Sequence, residues 1–99
     1  MKLQIAGQPW TVEQFDSEIL RGFSCVGVTM TSNRILISND LSEAERRETV
    51  IHELMHAVWL EMNIGFSDKT EEIIVTKLAQ GLSSIVDENP PKTLQGLFF

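Results

Sequence analysis

The chain has 99 residues, of which 42% are apolar and 22% are charged, and its formal net charge is −6. This length and composition predict one small globular domain, because no run approaches the roughly 20 apolar residues that a membrane-spanning helix requires. The excess of negative charge argues against nucleic acid as a partner, since phosphate binding needs clustered Lys and Arg.

The first 40 residues have the pattern of a β-rich half. Gly7-Gln8-Pro9 and Thr31-Ser32-Asn33 have turn composition, and the second of these predicts a hairpin. Residues 13–22 are compatible with either a helical turn or a strand. The predicted extended segments are Lys2–Ala6, Trp10–Val12, Cys25–Met30 and Arg34–Ile37.

A long helix is predicted next. Ser42 is a candidate N-cap, and Glu45 three residues later completes the pattern of a capping box. From there to about Met62 the chain contains neither glycine nor proline, and Gly65 then gives a stop signal. The sequence therefore predicts one helix of about five turns.

A second helix is predicted from the Ser67–Thr70 region to about Asp87, with Asn89-Pro90-Pro91 as its stop signal. We therefore expect one domain over residues 1–88 and a C-terminal tail over residues 89–99. The apolar side chains of the tail are expected to cover the sheet or a cleft, or to form a dimer contact. They are Leu94, Leu97, Phe98 and Phe99.

The motif most informative about function lies in the first helix. The two histidines of the chain are His52 and His56, and with Glu53 they form H-E-x-x-H. Residues four apart share one face of a helix, so both imidazoles can bind one ion, and neutral imidazole binds Zn²⁺ well. Glu53 lies one position further around the helix, where a carboxylate can accept a proton from a metal-bound water. Random placement of two histidines gives this spacing only about 2% of the time, which favours a metal site over coincidence.

A hydrolytic zinc site needs a third protein ligand. No further histidine is present, so a carboxylate of the second helix is the natural candidate. Periodicity places Glu71 near the centre of that helix's apolar face, where a carboxylate is costly unless it binds a metal. Glu72 lies nearer the edge, with Thr76 one turn on as a residue suited to hydrogen-bonding a ligand histidine. The residue pattern by itself leaves both glutamates open.

The two helices resemble those of the ImmA/IrrE-type metallopeptidases of phages, prophages and bacteria, whose pattern is HExxH followed by E-x-x-A-x-x-F-A. They are also similar to the gluzincins, zinc peptidases whose third ligand is a glutamate on the helix after HExxH. The likeness covers roughly residues 26–86. It rests on HELMH at 52–56 and on Glu72, Val75, Leu78 and Ala79.

The resemblance implies that Glu72 is the third ligand, because placing Glu71 in that register would put Lys77 at a position that is apolar in the family. It also implies that Zn²⁺ is the cofactor and that a peptide or protein, possibly a regulatory one, is the substrate. The sequence departs from larger gluzincins in having no tyrosine and no later histidine. The auxiliary side chain that often helps to stabilise the oxyanion in those enzymes is therefore absent.

The expected fold class is α+β, with a small antiparallel sheet of three or four strands packed on the HExxH helix and a second helix crossing it, as in zincins. In such folds an edge strand runs beside the metal, and an extended peptide can add to it as a further strand. Either Gly27–Met30 or Arg34–Ser38 is expected to be that edge.

The function expected from these features is hydrolysis of peptide bonds by a zinc-activated water, with His52, His56 and Glu72 as ligands and Glu53 as the base. The alternative is a metal-stabilised regulatory or adaptor protein that binds a partner without cleaving it. The apolar tail and the missing auxiliary group favour the adaptor, whereas Glu53 favours the enzyme. With one cysteine, Cys25, and no hydrophobic leader, we expect a cytoplasmic monomer or weak dimer with no membrane partner.

Overall fold

A computed structural model of the protein describes the backbone of residues 1–98 and the side chains of residues 1–97. It confirms the α+β class and both long helices. The elements in chain order are β1 Lys2–Ile5, β2 Gln8–Phe15, α1 Ser17–Gly22, β3 Gly27–Met30, β4 Arg34–Ser38, α2 Glu43–Glu61, α3 Asp68–Glu88 and α4 Pro91–Phe98.

The sheet has four strands in the order β1-β2-β4-β3. The β1–β2 and β3–β4 pairs are antiparallel, but β2 and β4 are parallel, so the prediction of an antiparallel sheet is wrong for this pair. The reason lies in the connection: after β2 and α1 the chain runs back along β3 at the edge, and the hairpin then inserts β4 between β3 and β2. Residues 35–37 of β4 are apolar and buried, as is typical of a central strand.

Two turns depend on residues with positive φ. The β1–β2 turn consists of Ala6 (φ 50°) and Gly7 (φ 81°), one residue earlier than predicted, so that Pro9 belongs to β2. Two-residue hairpin loops require positive φ at their central positions, which glycine adopts at little cost. The β3–β4 turn is at the predicted place and has Asn33 at φ 62°.

Most of the core lies between the sheet and α2. Its buried members are Ile5, Trp10, Ile35, Ile37 and Ala57. The indole N–H of Trp10 donates to Glu61 Oε1 at 2.8 Å, which ties β2 to the last residue of α2. Because a buried indole N–H needs an acceptor, this bond fixes how α2 lies across the sheet.

The two long helices begin at caps that the sequence predicts. The Ser42 side chain accepts from the Glu45 backbone N–H, and the Glu45 side chain accepts from the Ser42 N–H, so the capping box is confirmed. Ser67 caps α3 by accepting from the Thr70 N–H. Helix α2 packs against both β3 and α3. This arrangement brings the middle of α2 and the first turns of α3 to the same end of the molecule.

The predicted stop at residues 89–91 is confirmed, but the tail forms a further helix, α4. Pro91 is its first residue, a position where the missing N–H of proline costs nothing. Leu94 is half-buried, and Leu97 is 68% exposed. The predicted packing of the Phe98 and Phe99 side chains falls outside the described residues. Among the helices of the described chain, none has the length and apolar character needed to cross a membrane.

Candidate metal centre

The structure brings His52, His56 and Glu72 together at one end of the α2–α3 interface. The Nε2 atoms of the two histidines are 3.2 Å apart. The carboxylate of Glu72 spans them, with Oε1 2.9 Å from His52 Nε2 and Oε2 2.9 Å from His56 Nε2. One ligand atom from each residue therefore faces a common point.

The separations of these atoms suit a small divalent ion. Tetrahedral zinc with bonds of about 2.0–2.1 Å places its ligand atoms about 3.3 Å apart. The three observed separations of 2.9, 2.9 and 3.2 Å are slightly shorter than this value. Two imidazole nitrogens and one carboxylate are also a donor set that zinc commonly binds, so these residues fit the ion without rearrangement of the helices.

Glu71 approaches the other nitrogen of one of these histidines. Its Oε2 atom lies 2.5 Å from His56 Nδ1, the distance of a short hydrogen bond in which Nδ1–H donates to the carboxylate. In neutral His56 this tautomer leaves a lone pair on Nε2, which faces the acceptor oxygen of Glu72. Two facing lone pairs repel each other, and a cation between them removes the repulsion.

The two adjacent glutamates differ in burial in the way that periodicity predicts. The side chain of Glu71 is 21% exposed and that of Glu72 is 56% exposed. The more buried one, however, satisfies its charge against His56 Nδ1, while Glu72 faces both Nε2 atoms. The expectation for Thr76 is wrong, because its hydroxyl lies 3.4 Å from Glu72 Oε1 and thus contacts the carboxylate and not a histidine.

Glu53 is one of two fully buried residues of α2, with 8% of its surface exposed. Its Oε2 lies 3.9 Å from His52 Nε2, and its Oε1 lies 3.0 Å from the Thr29 hydroxyl. Burial raises the pKa of Glu53, and this effect outweighs the Thr29 hydrogen bond and the nearby His52 and His56, which lower it. A carboxylate with a raised pKa is better matched to proton transfer near neutral pH.

A cleft of about 1180 Å³ opens beside these residues. One wall is β3 with the segment before it, and the other wall is formed by α2 and the first turn of α3. The sheet order settles which strand borders the cleft as an edge: it is Gly27–Met30, while Arg34–Ser38 is an inner strand. Motif analysis did not identify Gly27 and Thr29, whose alternation toward α2 is the signal that could have done so.

Comparison with known proteins agrees with this geometry. The model of the Peptidase_M78 family, described as the IrrE N-terminal-like domain, matches residues 9–77. The match runs from β2 into α3 and includes the HELMH motif and Glu72. Comparisons with curated proteins and with solved structures give no match. The resemblance expected from the helical motifs is therefore confirmed, and the chain belongs to the ImmA/IrrE family of metallopeptidase domains.

Proposed function

We propose that the protein is a zinc-dependent peptidase in which His52, His56 and Glu72 hold the ion and Glu53 is the general base. The observation that carries this proposal is the convergence of three metal-binding atoms beside a buried carboxylate at the edge of a cleft. A site that served only to stabilise the fold would have no need of a buried, proton-accepting group next to its ligands. Membership of a peptidase family supports the same conclusion.

The chain's own residues divide the chemistry among them. A zinc ion at this site would supply a Lewis acid that polarises the scissile carbonyl and makes water more acidic. Glu53 Oε2, which points toward His52, accepts the proton of the attacking water and passes it to the leaving amine. Glu71 holds the Nδ1–H of His56 and thereby keeps Nε2 free for the metal.

The substrate proposed for this cleft is an extended peptide. Strand β3 is at the edge of the sheet, and its residues line the cleft beside Glu53. A peptide pairing with that edge gains backbone hydrogen bonds and brings successive carbonyls past the histidines. Cleavage of a regulatory protein is the role that the family resemblance suggests, and it remains part of this proposal.

An adaptor that binds zinc and a partner without cleavage is the second candidate. The observation that favours it is the absence of tyrosine and of a third histidine, the residues that often assist the oxyanion in larger gluzincins. In such an adaptor Glu53 would serve the fold alone, as a buried partner of Thr29.

The test is metal-dependent cleavage of a peptide library. The protein is purified, stripped with a chelator, and reloaded with zinc in measured amounts, and products are identified by mass spectrometry. The proposal predicts cleavage only in the loaded sample, with about one zinc per chain and a melting temperature that chelation lowers. His52→Ala and His56→Ala should each abolish loading, and full zinc occupancy in both variants would refute the site.

A further inference from the structure

Thr29 of β3 contacts Glu53 at two points. Its hydroxyl oxygen lies 2.8 Å from the Glu53 backbone carbonyl and 3.0 Å from Glu53 Oε1. The single hydroxyl hydrogen is shared between these two acceptors. The contact links the edge strand to the middle of α2, across 24 residues of sequence, and is half-buried.

Gly27 lies two residues earlier on the same face of β3. A Cβ at this position would lie 2.7 Å from Thr49 Cγ2 and 3.1 Å from Glu53 Cγ. The first distance is shorter than carbon atoms tolerate without movement. Only a residue with no side chain therefore lets the strand backbone lie directly against the methylene groups of Glu53.

We propose that Thr29 is a positioning residue for Glu53, and that Gly27 permits the close approach of strand and helix on which this contact depends. The inference rests on the proposed function. Thr29 fixes Oε1, and with Oε1 fixed the remaining oxygen, Oε2, points toward His52. A free glutamate side chain has three rotatable bonds, so a base held in one orientation avoids the cost of ordering it during the reaction.

The same strand also presents its outer edge to the peptide in the proposed binding mode. One element then sets the position of the base through Thr29 and the position of the scissile bond through its backbone. A shift of the base by about 1 Å is enough to reduce turnover by about 100-fold.

The first test compares Thr29→Val, which keeps the shape but loses the hydroxyl, with Thr29→Ser, which keeps the hydroxyl. Thr11→Val, the same change on β2 outside this cleft, is the matched control. We expect Thr29→Val to lower kcat by about 10- to 100-fold with zinc content and KM unchanged, and Thr29→Ser to restore most of kcat. A serine variant as slow as the valine variant would overturn the proposal, as would a valine variant that turns over at the wild-type rate.

The second test does not depend on activity. The urea midpoint of the zinc-free protein is measured for Thr29→Val in the wild-type and the Glu53→Ala backgrounds. A smaller midpoint shift in the Glu53→Ala background is expected, because the partner carboxylate is gone, and equal shifts would overturn the contact. A wild-type protein that binds zinc and cleaves nothing would refute the proposed function instead, and the two midpoint shifts would then decide on Thr29.

Discussion

The carboxylate of Glu71 lies 2.5 Å from Nδ1 of His56, on the side of the ring that faces away from the predicted metal. Its neighbour Glu72 lies 2.9 Å from Nε2 of the same ring. Consecutive residues on α3 thus approach opposite nitrogens of one imidazole. The arrangement assigns a different task to each: Glu71 fixes the tautomer, and Glu72 completes the ligand set.

This division predicts different effects of substitution at the two glutamates. Glu72→Gln should reduce zinc affinity by more than the 10- to 100-fold that is typical of losing an outer partner of a ligand. Glu71→Gln should bind zinc almost normally, because the amide oxygen can still accept the Nδ1–H of His56. Glu71→Ala removes that acceptor and should weaken binding by about 10-fold. Competition with a chromophoric chelator measures all three, and a larger loss for Glu71→Ala than for Glu72→Gln would reverse the assignment.

The close approach at Gly27 predicts a packing cost that a second substitution repairs. Gly27→Ala should lower the free energy of unfolding by about 1–3 kcal/mol, as overpacked substitutions do. Thr49→Ser deletes the methyl group that the new Cβ meets, so the double variant should recover much of this loss.

The control for this prediction is Gly81→Ala in α3, where a new Cβ would meet no atom within 4 Å in the described part of the chain. Alanine favours a helix over glycine, so this variant should gain up to about 1 kcal/mol. Urea unfolding gives all four values. A Gly27→Ala variant that matches the wild type, or that Thr49→Ser fails to improve, would contradict the packing described for β3 and α2.

The pH dependence of stability is predicted at Asp40, between β4 and α2. A hydrogen bond from the buried Ser38 hydroxyl and another from Arg21 lower the pKa of Asp40 below its ordinary value of 3.8. A carboxylate with a lowered pKa in the folded state contributes stability above the unfolded pKa, and this contribution is lost as the pH falls through the folded pKa.

Asp40→Asn should therefore destabilise the protein more at about pH 6 than at about pH 3, as measured by urea midpoints at the two values. Glu88→Gln, at an exposed carboxylate in the last turn of α3, should show no such difference between the two pH values. Equal destabilisation by Asp40→Asn at both pH values would show that the charge of Asp40 does not contribute.

The helical half of the protein follows closely from local sequence. The capping box at Ser42 and the spacing of His52 and His56 are short-range patterns, and the structure contains both. The family register that selects Glu72 over Glu71 agrees with the distances to Nε2. Burial alone favours Glu71, because periodicity indicates which face a side chain occupies but not which partner it meets there.

The β half was less predictable, because strand order depends on contacts distant in sequence. The parallel pairing of β2 with β4 follows from the placement of a whole hairpin, which the alternation of apolar residues does not encode. The contacts of Thr29 with Glu53 and of Trp10 with Glu61 span 24 and 51 residues. Each depends on how α2 lies across the sheet, and this is decided by the packed core and not by any local motif.

The most direct test of the account is the Glu53→Gln variant, with zinc content and cleavage rate measured on one preparation. Glutamine is close to glutamate in size, and its side-chain oxygen can still accept a hydrogen bond from Thr29, so fold and zinc content should be retained. The amide cannot accept the proton of water, so the peptide-cleavage rate should fall by about 100- to 10,000-fold, the usual contribution of a general base. Retained zinc with cleavage lost is the predicted result, and cleavage at the wild-type rate with zinc retained would contradict the mechanism.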